Sequence, residues 1–97
     1  MNYHLEISAG AENDISASFL WYEDQQNGLG EKFKNNILST FLIIQKNPFA
    51  YQKRYEQVRI AFSKKFSFGV HFSISDYIIT IHAVLHTSRS PKIWNKR

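Results

Sequence analysis

A chain of 97 residues would bury roughly 60–70% of its unfolded surface, which sustains one core and predicts a single domain over residues 1–97. With 43% hydrophobic and 15% aromatic residues, four Gly, two Pro and no Cys, the composition excludes a disordered or collagenous chain, a disulfide framework and a thiolate zinc site. The net charge of +4 is uneven: residues 1–45 hold six acids against Lys32 and Lys34, whereas residues 46–97 hold ten bases against Glu56 and Asp76. Such a basic half marks either a polyanionic or acidic partner, or a surface kept charged for solubility.

Tyr3, Leu5 and Ile7 alternate with His4 and Glu6, which predicts a first strand with one buried face. Ser8 is placed to cap a helix running to about Gln25, with Ala11, Ile15, Phe19 and Tyr22 on one stripe. Asn27-Gly28-Leu29-Gly30 breaks that helix, and a second is expected over Glu31–Lys46, with Phe33, Ile37, Phe41 and Ile44 in register and Asn47-Pro48 ending it. Three strands then read as a meander: Val58, Ile60 and Phe62; Phe66 to Ile74; Tyr77 to Leu85. Their short connections, Ser63-Lys64-Lys65 and Ser75-Asp76, predict antiparallel hairpins. The expected fold is α+β, in the order βααβββ, with an antiparallel twisted sheet and a two-helix hairpin on one face. Residues 86–97 form a polar tail that Trp94 would anchor. The longest apolar run, Phe41 to Ile44, is far too short to span a membrane, and Met1–Glu6 lacks the apolar segment of a signal peptide. The expectation is a cytoplasmic protein with no membrane partner.

Pairing Phe62 with Phe66 and Ile74 with Tyr77 would set Arg59 opposite Gly69, and Gly69 opposite His82, on the face away from the helices. An arginine and a histidine leaning over a glycine floor would seat a phosphate, with His71 on the same face. Read singly, each of these is equally an ordinary solvated strand residue. His82 and His86 are spaced like a helical metal pair, but they fall on a strand with no adjacent glutamate, so no metal is expected. Gly28-Leu29-Gly30 lies between helices, where no phosphate loop forms, and no cofactor is expected.

The combination Trp21-Tyr22-Glu23, Gly28-Leu29-Gly30, Phe33, Asn47-Pro48, Val58-Arg59 and Ala83-Val84-Leu85-His86, followed by Arg89, Pro91, Trp94 and Arg97, resembles the RelE/ParE superfamily of bacterial toxins across nearly the whole chain. The tail is more like the ParE-type, plasmid-stabilisation branch. The resemblance implies a growth-inhibiting toxin of a type II toxin–antitoxin system, covered by a cognate antitoxin, in a toxin–antitoxin hetero-oligomer. ParE-like members poison DNA gyrase, and that is the first reading here. RelE-like members cut messenger RNA on the ribosome without a metal, and a degenerate antitoxin-binding homologue is a third reading.

A metal-free nuclease must move protons to and from a ribose and stabilise a phosphorane. Arg59 and Arg89 would clamp the phosphate, and His86, or else His71 or His82, would carry the proton. Lys53, Arg54, Lys64, Lys65 and Lys92 would hold a nucleic-acid backbone, unless they only solubilise hairpin tips and sheet edges. For gyrase, only a complementary surface is needed, which the tail with Trp94 and Arg97 would supply.

Overall fold

The computed structural model describes residues 3–63 and 65–87. Its elements follow in the order β1 (His4–Ile7), α1 (Ala9–Gln25), α2 (Leu29–Lys46), a 3-10 turn (Pro48–Ala50), β2 (Lys53–Tyr55), β3 (Val58–Phe62), β4 (Phe68–Ser75) and β5 (Ile78–His86). The architecture is the α+β one expected, with a short strand, β2, added ahead of the meander. Its Lys53-Arg54-Tyr55 sequence has no apolar alternation to betray it. The sheet order is β1-β5-β4-β3-β2, antiparallel except that β1 returns parallel to β5 at one edge. Among the described residues no helix is long and apolar enough to cross a membrane.

Both helices form as their periodicity dictates. The Ser8 hydroxyl accepts the Ala11 N–H at 3.1 Å, satisfying one of the orphan donors of the first turn of α1. Ile15, Phe19 and Tyr22 of α1 pack onto a core that α2 supplies with Phe33, Ile37, Phe41 and Ile44, and the sheet with Phe68, Val70, Phe72, Ile79 and Ile81. Each of these large side chains is worth roughly 1.5–3 kcal/mol on burial, so the stripe outweighs the middling helix propensity of its aromatic and β-branched members. The turn between helices is tight. Glu23 reaches across it, its two carboxylate oxygens accepting the Gly28 and Gly30 N–H groups at 2.9 and 3.0 Å. A side chain at Gly30 would stand 2.8 Å from the Phe19 carbonyl oxygen, so only glycine lets the two helices approach this closely.

The sheet departs from the expected register at two places. In the β3–β4 hairpin Arg59 pairs with Phe72, Ile60 with His71, Ala61 with Val70 and Phe62 with Gly69, three residues away from the expected pairing. The cause is Phe66. It sits in the connection rather than in the strand and turns into the core, its ring edge-on to Tyr22 and Phe33 at 5.1 and 5.8 Å, while Tyr22 donates its hydroxyl to the Phe66 carbonyl. Ser67, left-handed at φ 52°, then leads into β4. An odd shift inverts a strand, so Arg59 and Ala61 turn to the helix side and Val58, Ile60 and Phe62 to the other.

In the β4–β5 hairpin the turn is Asp76-Tyr77 rather than Ser75-Asp76, with Asp76 left-handed at φ 54°. Pairing then runs Ser75–Ile78 to Phe72–Ile81 and resumes at His71–Ala83, so His82 is an extra residue that makes a β-bulge. Beyond it the side-chain alternation flips: Val84 joins the core cluster, while Ala83 and Leu85 fall with His71 on the opposite face. Helix α1 fastens the irregularity. The Ser8 hydroxyl donates to the His82 carbonyl at 3.3 Å, and the Asp14 carboxylate accepts the Val84 N–H at 3.0 Å.

Candidate functional site

The chemistry-bearing side chains divide between the two faces of the sheet. On the helix side, at the β3 edge, Arg59 is half-buried. Its guanidinium donates to the Tyr51 carbonyl at 2.6 Å and lies 5.1 Å from the centre of the Phe49 ring, a cation–π seat. The expected row of Arg59, Gly69 and His82 does not exist. Arg59 stands opposite Phe72, Gly69 faces Phe62 and Leu85, and His82 occupies the bulge.

On the other face His71 is fully buried rather than open, and its Nδ1 is hydrogen-bonded to the Tyr55 hydroxyl at 2.9 Å. Tyr55 reaches it from β2 across β3. His82, half-buried, has its Nε2 2.7 Å from the Ser73 hydroxyl, and burial holds its pKa below the usual histidine value, because the charged ring would lose solvation. Arg54 is exposed and lies over the Phe62 ring at 5.5 Å. His86 is exposed at the end of β5 opposite Phe68, and Lys53 and Lys65 are exposed. Lys64, Arg89, Lys92, Trp94 and Arg97 lie outside the described residues.

The structure therefore brings together Tyr55 with His71, Ser73 with His82, and each of two arginines with an aromatic ring. It does not bring Arg59 to any histidine of the opposite face. His86 is separated from Arg59 by four positions along β4 and by two strand spacings, roughly 16 Å between backbones at 3.3 Å per residue and 4.8 Å per strand. Tyr51, Tyr55, Phe49 and Ser73 escaped the reading of the sequence. Phe49 and Tyr51 follow a proline turn where no periodicity applies, and Tyr55 belongs to a strand too short to leave a pattern. Among the described residues no group of three or more His, Cys, Asp or Glu side chains could hold a metal ion.

Neither a family model nor a curated protein sequence matches the chain, but solved structures do. Over 89% of this chain and 97% of the other, it superposes on a chain of the chromosomal ParDE TA system from P. aeruginosa with a TM-score of 0.76 at 16% identity. The toxin–antitoxin complex RelBE2 from Mycobacterium tuberculosis matches at a TM-score of 0.62 and 12% identity, over 89% of this chain and 99% of that one. A mutant of the E. coli toxin RelE in the free state matches at 0.62 and 12%, over 98% and 94%. The chain thus has the RelE/ParE-like fold: a helix hairpin packed on one face of an open, mostly antiparallel sheet.

Proposed function

We propose that this chain is the growth-inhibiting toxin of a bacterial toxin–antitoxin pair, a single cytoplasmic domain that acts by binding, as a ParE-like inhibitor of DNA gyrase. The observation that carries the binding reading over the nuclease one is the separation of the would-be catalytic groups. A phosphate clamped by Arg59 could not also receive a proton from His71 or His82 on the opposite face. The roughly 16 Å to His86 exceeds what the two side chains close over one phosphate. A general acid must lie within hydrogen-bond reach of the atom it protonates. The superposition on a ParDE chain supports the same branch. A cognate antitoxin would cover the basic second half.

The test adds purified protein to gyrase with relaxed plasmid and ATP, and separately to a reconstituted translation reaction. Lost supercoiling with intact messenger is the expected result. Messenger cleavage that disappears in Arg59→Lys and His86→Gln proteins would instead establish the nuclease. Activity in neither tube, with retained binding of the adjacent gene product, would establish the degenerate homologue.

A further inference from the structure

β2 closes one edge of the sheet, and no described strand pairs with its outer side. An open edge offers backbone donors and acceptors to any extended chain. Around this one the cationic side chains stand in an unusual setting. Arg54 lies over Phe62, itself 45% exposed, on one face of the sheet. Arg59 lies against Phe49, which is 60% exposed, at the other face. Lys53, opposite Arg59 in the ladder, is exposed between them. Rings rather than carboxylates hold both guanidinium groups, so their positive charge is left for a partner.

We infer that the outer edge of β2 is a docking site for an extended, acidic segment of a partner protein, which adds to the sheet as a sixth strand. Alternate side chains of such a strand point to opposite faces, so one parity meets Arg54 and Phe62 and the other meets Lys53 and Phe49. Backbone pairing supplies affinity, and the two arginine–aromatic stations supply the preference for acidic and apolar side chains. A second copy of this chain is disfavoured by the same residues, because β2 against β2 would set Lys53 and Arg54 beside their own counterparts. A nucleic-acid strand would satisfy the charges but not the row of amides. This inference goes beyond the toxin reading and holds whether or not the protein arrests growth.

The probe is a capped octapeptide of alternating Glu and Val, titrated into the isotopically labelled full chain, with amide hydrogen exchange and chemical shifts read residue by residue. Binding is expected to slow exchange at Lys53–Tyr55, to weaken about tenfold with Arg54→Glu or Lys53→Glu, and to fade as salt rises. A peptide N-methylated at alternate residues, which keeps its charges but cannot complete the ladder, is expected to bind at least tenfold more weakly. Equal binding of the N-methylated peptide would overturn the inference. So would shifts confined to other parts of the chain, or an oligothymidylate that gives the same protection at Lys53–Tyr55. Arg54 is exposed, so its substitution leaves the fold intact. If Arg54→Glu nevertheless lowers the melting temperature, Lys53→Glu decides alone.

Discussion

Replacing Gly30 with alanine sets two effects of opposite sign against each other, and the structure decides between them. Inside a helix, alanine is favoured over glycine by about 1 kcal/mol. Here the new methyl would sit 2.8 Å from the Phe19 carbonyl oxygen, 2.9 Å from the nearer Glu23 carboxylate oxygen and 3.2 Å from the Glu23 Cβ. The carboxylate can swing away, but the carbonyl belongs to the backbone of α1, so the helices must part. Overpacking of this kind costs about 1–3 kcal/mol. Moving Glu23 also gives up a charge-assisted bond to the Gly30 N–H, worth about 1 kcal/mol more in a partly exposed site. The balance is a loss of roughly 1–3 kcal/mol, or about 5–15 °C in melting temperature for a domain of this size. Urea and thermal melts followed by circular dichroism would read it. Gly28→Ala is the control: it meets nothing within 4 Å but has φ +86°, so it should cost only the left-handed strain, about 1 kcal/mol. A Gly30→Ala protein as stable as wild type would refute the close approach of the helices.

Arg59→Ala should lower stability by about 1–2 kcal/mol in urea melts, because it strips the donor from the Tyr51 carbonyl and the cation from the Phe49 ring. A stability unchanged from wild type would restore the view of Arg59 as a free surface residue. Asp14→Ala should cost about 1–3 kcal/mol by leaving the Val84 N–H at the bulge without its carboxylate acceptor, and Asp14→Asn, which keeps an oxygen there, should recover part of it. Burial lowers the His82 pKa from 6.5, so the unfolded chain binds the proton more readily. Stability from this group is therefore full above 6.5 and declines as pH falls through the lower folded value. The acid slope of the urea midpoint should flatten in His82→Gln. Burial raises the Tyr22 pKa above 10.0, so its contribution is present below that value and fades at more alkaline pH. Tyr22→Phe should remove that alkaline slope.

The helices were legible because their determinants are local. Ser8 caps three residues ahead, Phe33, Ile37, Phe41 and Ile44 repeat at helical steps, and Gly28 ends one helix where the next begins. The strands were legible as strands, since alternation needs only near neighbours. Their register was not, because the residues that set it come from elsewhere. Phe66 looks like the first member of an alternating strand, and only the rings of Tyr22 and Phe33, one on each helix, draw it out of the ladder. The bulge at His82 carries no sequence mark of its own. Its carbonyl and the neighbouring Val84 N–H are satisfied by Ser8 and Asp14, 74 and 70 residues away.

For the candidate site, this division between local and distant determinants is decisive. Because side chains alternate with a period of two, any odd error in a hairpin carries a residue to the opposite face. Counting Phe66 as strand puts Arg59 beside the histidines and makes a phosphate seat. Moving Phe66 into the core puts Arg59 under the helix side, bonded to the carbonyl of Tyr51, and leaves the histidines facing Tyr55 and Ser73. The same residues then cease to describe an acid, a base and an oxyanion clamp around one phosphate. They describe instead two arginines braced on aromatic rings at a basic sheet edge, and buried or half-buried histidines held by hydroxyls. Proton transfer requires convergence to within about 3 Å. Recognition of an acidic surface requires only that cations be held, spaced and left unneutralised, which is what the aromatic seats of Arg54 and Arg59 accomplish.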